Sequence, residues 1–123
     1  MNEVVAVLVG QRQGCIWYGR LRQRQEGGPA SVEFDWAWVL EREERRGDVI
    51  GFYHTHLSGL TTPSQRDVRT MRAWVSCFGK PLLCVIQCGA TLAAYLFETD
   101  EDGGLPLAEV QRFPRHVVVG VES

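Results

Sequence analysis

The sequence is short of lysine and of long apolar runs, and both shortages narrow what the chain can be. Lys80 is the single lysine among 13 basic residues. Arginine in place of lysine is typical of a GC-rich genome; the alternative is avoidance of lysine by a protein that works among lysine-modifying enzymes. No apolar run approaches the roughly 18 residues of a membrane span. The longest near the start, Val4 to Val9, follows the acidic Glu3 rather than a basic segment. We therefore expect no membrane span, no secretory signal and a cytoplasmic location.

The four cysteines lack the spacing of a disulfide scaffold or a zinc knuckle. They lie at positions 15, 77, 84 and 88 and contain no Cys-x2-Cys pair. In a cytoplasmic chain such thiols stay reduced. Cys84 and Cys88 fall in an apolar, strand-like run, and we predict that they are small buried hydrophobic residues.

The 123 residues are one domain's worth of chain, and their composition is that of a globular protein. Hydrophobic residues make up 45% and charged residues 23%, which excludes a disordered or collagen-like chain. The net charge of −2 supplies no general attraction to nucleic acid or to anionic membranes. We expect a single domain over 1–123 that binds neither.

Apolar periodicity predicts a sheet interrupted by two helices. The predicted strands cover 3–10, 15–24, 48–54, 81–87, 91–98, 107–113 and 116–121. The predicted helices run from about 34 to 46 and from 64 to 78. In the second strand we expect Ile16 and Tyr18 to face inward, while Arg20, Arg22 and Arg24 alternate outward. This order of elements indicates an α/β sandwich around a mixed sheet.

Two of the three histidines, His54 and His56, lie at the end of a predicted strand. Residues two apart on a strand point to the same side, so the two imidazoles converge. Imidazole nitrogen is a common zinc ligand. Asp67, one turn into the next helix, supplies a carboxylate after a short loop. Two histidines and one carboxylate leave a fourth tetrahedral position for water, which is typical of catalytic rather than structural zinc sites.

The stretch from Ser64 to Asp67 has a second interpretation. Ser-x-x-Asp at a helix start is also a capping box, in which each side chain bonds the backbone N–H of the other residue. A serine can cap a helix and still act at a site, so the two interpretations of Ser64 are compatible.

The four positions together match a known signature. His54-x-His56, seven residues, Ser64, two residues and Asp67 resemble the His-x-His-x7-Ser-x-x-Asp signature of the JAMM metallopeptidases, the catalytically competent members of the MPN (JAB) domain family. The match is complete in spacing and residue type. Ile-Gly-Phe-Tyr at 50–53, directly before it, is also typical of the family.

The resemblance implies a fold and also shows departures from it. The implied fold is the MPN (JAB, cytidine-deaminase-like) sandwich, an α/β fold with a central mixed β-sheet flanked by helices. Leu57 stands where the family usually has a proline, the helix that usually precedes the first strand is missing, and the insertions of eukaryotic deubiquitinating members are absent. The chain resembles a minimal, prokaryotic-type JAB domain.

The resemblance also implies a ligand set and a mechanism. One catalytic Zn²⁺ would be held by His54, His56 and Asp67. A glutamate before the first core strand acts as general base in the family, and here Glu3 matches that position better than its rival, Glu33. Ser64 would donate a hydrogen bond to the oxyanion that develops during attack on the amide.

Substrate and partners follow from the resemblance alone. Family members cut the peptide or isopeptide bond after the C-terminal glycine of ubiquitin or ubiquitin-like proteins. In bacteria and archaea such domains accompany ubiquitin-like conjugation systems, including antiviral ones. We therefore expect deconjugation or precursor processing of a ubiquitin-like protein, with E1-like or E2-like proteins of the same system as partners. We also expect a second copy or a partner chain that covers the N-terminal strand.

Three alternatives use the same residues differently. A non-catalytic MPN scaffold binds partners without metal, but such scaffolds lose the histidine pair or the aspartate. A zinc peptidase on other peptides keeps the chemistry and changes the substrate. A zinc nucleobase deaminase needs His-x-Glu and Pro-Cys-x-x-Cys, and this sequence contains neither.

Overall fold

Strands make up most of the chain that the computed structural model describes, which is residues 3–27, 33–57, 59–99, 104–106 and 109–120. The elements are β1 (Glu3–Gln13), β2 (Ile16–Gly27), α1 (Trp36–Arg46), β3 (Val49–Thr55), α2 (Gln65–Phe78), β4 (Leu82–Cys88), β5 (Thr91–Phe97), β6 (Leu105–Pro106), β7 (Glu109–Arg112) and β8 (His116–Gly120). The predicted helices and the first five strands are confirmed to within a few residues. The strand predicted over 107–113 is confirmed for the described residues as β7, which covers Glu109–Arg112. Residues 107, 108 and 121 lie outside the described ranges.

All eight strands form one mixed sheet in the order β6-β5-β4-β3-β1-β2-β8-β7. Adjacent strands in the sheet are antiparallel, except β3 and β4, which are parallel and are joined by the crossover helix α2. The mixed sheet of the prediction is therefore confirmed. β1 pairs with β2 on one side and with β3 on the other. Both edges of β1 are therefore paired within the chain, and the expectation of a second copy or a partner chain over the N-terminal strand stays a prediction.

The two faces of the sheet are buried in different ways. Val39 of α1 and Met71 and Val75 of α2 pack in one cluster with β-strand residues such as Val7 and Phe52. Both helices therefore lie on one face. The other cluster joins strands from opposite ends of the sheet: Leu83, Val85, Ala94 and Leu96 on one side, Trp17, Val117 and Val119 on the other. β5 also contacts β7, which is not its neighbour. The sheet curls over its second face, so in the described chain helices flank one face only.

The inward face of β2 differs from its prediction. Trp17 is buried, whereas Ile16 and Tyr18 are 38% and 41% exposed. Because alternate residues of a strand face opposite sides, Trp17 and the pair Ile16 and Tyr18 cannot all face the core. Burial of the large indole ring of Trp17 leaves Ile16 and Tyr18 on the outer side. Gly19 supports the same phase, because a Cβ there would lie only 3.1 Å from the Ile50 side chain. The outward placement of the arginines at 20, 22 and 24 is confirmed.

None of the helices in the described ranges is long and apolar enough to cross a membrane.

A bidentate ion pair holds the start of β3 against α1. Arg42 Nε and one terminal nitrogen donate to the two oxygens of Asp48 at 2.9 and 2.8 Å. The Arg42 side chain is 11% exposed and that of Asp48 28%. The hydrogen bond from Arg42 lowers the pKa of Asp48 below its usual range, although burial partly opposes the shift. A two-point geometry of this kind is stronger than an ordinary surface pair.

Asp48→Asn is expected to lower the free energy of unfolding at pH 7 by about 1–3 kcal/mol. A carboxyl whose pKa is lower in the folded state stabilises the fold above its unfolded pKa, about 3.9, and this contribution is lost as pH falls through the folded pKa. The difference between wild type and variant should therefore shrink below about pH 4. Urea unfolding at several pH values measures it, with the exposed Glu44→Gln as control. An equal difference at pH 7 and pH 3 would contradict the assignment.

Candidate metal centre

The candidate site lies where β3 ends and α2 begins, on the helix-covered face. His54 is the second-last residue of β3, and His56 follows its last residue. The His56 N–H donates to the Gln87 carbonyl of β4 at 2.9 Å, which keeps the chain extended past the strand. Asp67 lies in the first turn of α2. The crossover from β3 to β4 thus brings two imidazoles and one carboxylate to one point.

The three side chains have the spacing of ligands around one small cation. The Nε2 atoms of His54 and His56 are 3.0 Å apart. His54 Nε2 lies 3.2 Å from Asp67 Oδ1, and His56 Nε2 lies 3.3 Å from Asp67 Oδ2. Ligand atoms about 2.0–2.1 Å from a tetrahedral zinc are about 3.3–3.4 Å from one another. In the described part of the chain this is the one group of three such residues that can hold a metal ion.

The hydrogen bonding of His56 identifies the ring nitrogen that is free to bind a metal ion. His56 Nδ1 is 2.9 Å from the Leu60 carbonyl oxygen, which can only accept, so Nδ1 carries the proton. In the neutral ring Nε2 then presents a lone pair toward the Asp67 carboxylate. Repulsion between facing acceptors is offset either by a proton on a neighbouring ring nitrogen, such as His54 Nε2 toward Asp67, or by a metal ion. The donor set therefore fits a metal ion, and the Leu60 carbonyl orients the ring as outer partners of metal ligands do.

Asp67 is held as an anion by its surroundings. Burial raises the pKa of Asp67, but hydrogen bonding to His54 and to the Ser64 backbone outweighs burial, and the net pKa is well below the usual range. The Ser64 N–H donates to Asp67 Oδ2 at 2.8 Å. A carboxylate that stays ionised is the form a metal binds.

Ser64 and Asp67 form the complete capping box. The Asp67 N–H donates to Ser64 Oγ at 3.1 Å, and the reciprocal bond is present. The interpretation of this pair as a capping box is therefore confirmed, and capping leaves both residues available to the candidate metal site. A hydroxyl that accepts one bond keeps its proton to donate, and Ser64 lines the same pocket as the histidines.

A pocket of about 320 Å³ opens beside the three ligand residues. One wall is aromatic: the rings of Phe34, Trp36 and Phe52 pack with centroids 4.8 to 5.7 Å apart. Their apolar surface limits water at the site, as is usual for ligand pockets.

Both rival glutamates line this pocket. Glu3 lies at the start of β1, which pairs Val5 with His54; continued by two residues, this register brings Glu3 opposite His56. Glu33 is an exposed residue before α1, and its carboxylate lies 3.7 Å from Arg66. Glu3 is the better buried of the two, so the geometry favours it without removing Glu33.

Cys84 also lines the pocket. It is buried at the base of the pocket, and burial, with the nearby Asp67 carboxylate, raises the pKa of its thiol. The thiol therefore stays protonated and is a poor nucleophile. The prediction that it is a small buried residue is confirmed, whereas Cys88 is only partly buried and Cys15 and Cys77 are exposed.

Two contacts of the site have no signal in the sequence. The Leu60 carbonyl that orients His56 is a backbone atom, which any residue at that position supplies. The Thr55 hydroxyl accepts a hydrogen bond from the Val4 N–H at 2.9 Å, between residues 51 positions apart. Only the β1–β3 register brings these two groups together.

Comparison with known proteins agrees with the motif. The family model described as prokaryotic homologs of the JAB domain matches residues 1–98. No curated protein matches the chain significantly.

Proposed function

Because the chain belongs to the family of prokaryotic homologs of the JAB domain, we propose that it is a zinc-dependent isopeptidase or peptidase. Its substrate in this proposal is the amide bond after the C-terminal glycine of a ubiquitin-like protein. The observation that carries the proposal is the convergence of His54, His56 and Asp67 at the spacing of tetrahedral ligands, beside an open pocket.

His54, His56 and Asp67 would hold the zinc ion, which would supply a Lewis acid and would lower the pKa of a water molecule toward about 7. Glu3 accepts the proton of the attacking water and passes it to the leaving amine. The Ser64 hydroxyl, whose oxygen already accepts from Asp67, donates its proton to the developing oxyanion. One such donor typically lowers the barrier by roughly 2.7–4 kcal/mol.

The family resemblance is what supports this substrate class. A tail that ends in glycine can lie extended with its main chain held by hydrogen bonds, and small residues pass where a side chain would clash. E1-like and E2-like proteins of a ubiquitin-like conjugation system are the partners this proposal implies.

The two remaining alternatives differ from the proposal in measurable ways. A non-catalytic scaffold does not need a metal site, so the convergence of His54, His56 and Asp67 favours catalysis. A zinc peptidase acting on other peptides shares every residue named above, so substrate preference alone separates it from the proposal.

A ubiquitin-like protein joined through its C-terminal glycine to a fluorescent amine is expected to be cleaved by the zinc-loaded protein. A chelator should stop cleavage, and added zinc should restore it. Thiol alkylation should leave cleavage intact, because the pocket cysteine Cys84 is buried and protonated. Release of the fluorescent amine measures the rate.

Two other outcomes of this experiment reject parts of the proposal. Cleavage that survives chelation and is lost on alkylation would assign the reaction to a cysteine. Cleavage of an unrelated peptide amide at an equal rate would favour the general zinc peptidase.

A further inference from the structure

The start of β1 has few attachments to the strand that carries the histidines. Ladder pairing between β1 and β3 ends at Val5 and His54. On the other side of β1, the register with β2 shifts between Val5 and Val7. A bulge of this kind interrupts the ladder and bends the strand. Past the bulge β1 still pairs with β2, from Val5 with Gln25 to Glu3 with Gly27, so the segment that bears Glu3 is held to β2 and lacks ladder pairing only toward β3.

One side-chain bond extends the attachment past that last pair. The Val4 N–H donates to the Thr55 hydroxyl at 2.9 Å, in a partly buried position. The Val4 N–H belongs to the peptide plane that directly follows the Glu3 Cα. Holding this plane fixes the direction in which the Glu3 side chain leaves the backbone.

The other end of the bond is equally specific. Thr55 lies between His54 and His56 in the chain, so its hydroxyl moves with both metal-ligand residues. The bond thus sets the spacing between the segment that carries the carboxylate and the segment that carries the imidazoles. A general base must lie within hydrogen-bond reach of the proton it removes, so this spacing matters for rate.

We propose that Thr55 is a positioning residue, whose hydroxyl holds Glu3 at the reacting water by accepting the Val4 N–H bond. This inference rests on the proposed function, since it takes Glu3 as the general base.

The test compares Thr55→Val, which keeps the shape and removes the hydroxyl, with Thr55→Ser, which keeps the hydroxyl. Amide hydrogen exchange at Val4, measured by NMR, should be about tenfold or more faster in Thr55→Val and near wild type in Thr55→Ser. Zinc content should be unchanged in both. Thr91→Val, at the exposed start of β5 and outside the pocket, controls for the substitution itself.

Turnover of the glycine-linked fluorescent substrate gives the second measurement. A misplacement of about 1 Å can cost roughly 10²-fold, so we expect kcat of Thr55→Val to fall by about 10- to 100-fold with KM unchanged. Thr55→Ser should restore kcat to within about threefold of wild type. In a Glu3→Gln background, Thr55→Val should lower kcat no further, because residues that act as a unit are not additive.

The outcomes separate this inference from the proposed function. An active wild type with unchanged Val4 exchange in Thr55→Val overturns the inference alone. So does a Thr55→Val effect that is as large in the Glu3→Gln background as in wild type. A wild type that binds zinc but cleaves no amide overturns the proposed function, and the positioning role with it, even if Val4 exchange responds as expected.

Discussion

Glu3→Gln is expected to lower turnover by the zinc-loaded protein by roughly 10²–10⁴-fold, the usual contribution of a general base. Glutamine keeps the size and the hydrogen bonding of the side chain but cannot accept the proton. The fold should persist because Glu3 lies at the end of β1, outside both buried clusters. Zinc content should persist as well, since Glu3 is not among the three ligand residues.

Glu33→Gln is the matched control for Glu3→Gln. Glu33 lines the same pocket, but its side chain is 68% exposed and faces Arg66. We expect the turnover of Glu33→Gln to stay close to that of wild type. Single-turnover rates of the two variants on the fluorescent substrate decide between them. If Glu33→Gln is the inactive variant and Glu3→Gln is near normal, the assignment of the base is wrong.

Replacing a ligand residue is expected to remove the metal and the activity together. Purified protein should contain about one zinc per chain, as one open three-ligand set holds. His54→Ala, His56→Ala and Asp67→Ala should each lose most of it, because two ligands hold zinc poorly. Elemental analysis measures zinc content, and the fluorescent substrate measures activity.

Asp67 needs a further control, because its carboxylate also caps α2. Asp67→Asn keeps an oxygen that can accept the Ser64 N–H, and it should therefore retain the helix start better than Asp67→Ala while losing zinc affinity. Ser64→Gly gives the cost of weakening the cap without removing a ligand, a few tenths of a kcal/mol at a helix N-cap. Full zinc retention in the His54→Ala, His56→Ala double variant would reject the site.

Local patterns in the sequence were sufficient for the candidate ligands. His54, His56 and Asp67 lie within one strand–loop–helix unit, so their spacing along the chain determines their spacing in the fold. The helix over 64–78 was predicted for the same reason, since a helix repeats with a fixed period, and Met71 and Val75 are its buried residues. Where the relative positions of residues are determined within about fifteen residues of chain, the sequence pattern is enough to predict them.

The features that the sequence did not reveal depend on distant contacts. The phase of β2 depends on which apolar set meets Leu8 and Ile50, and the curl of the sheet depends on packing between strands at its two ends. The bond from Val4 to Thr55 requires the β1–β3 register, and the same register brings Glu3, which the resemblance had ranked above Glu33, opposite His56. The spacing of neighbouring residues in the sequence does not determine any of these features.

The separation of these residues along the chain also sets the order in which the site can assemble. His56 and Asp67 are 11 positions apart, whereas the bond that fixes Glu3 spans 51. Loop-closure entropy grows as (3/2)RT ln n, so the longer closure costs about 1.4 kcal/mol more, roughly a tenfold lower probability of contact in the unfolded chain. Local contacts also form first in folding. The folding protein is therefore expected to bring His54, His56 and Asp67 together early, and to place Glu3, the proposed base, only when the long-range closure of β1 on β3 is complete.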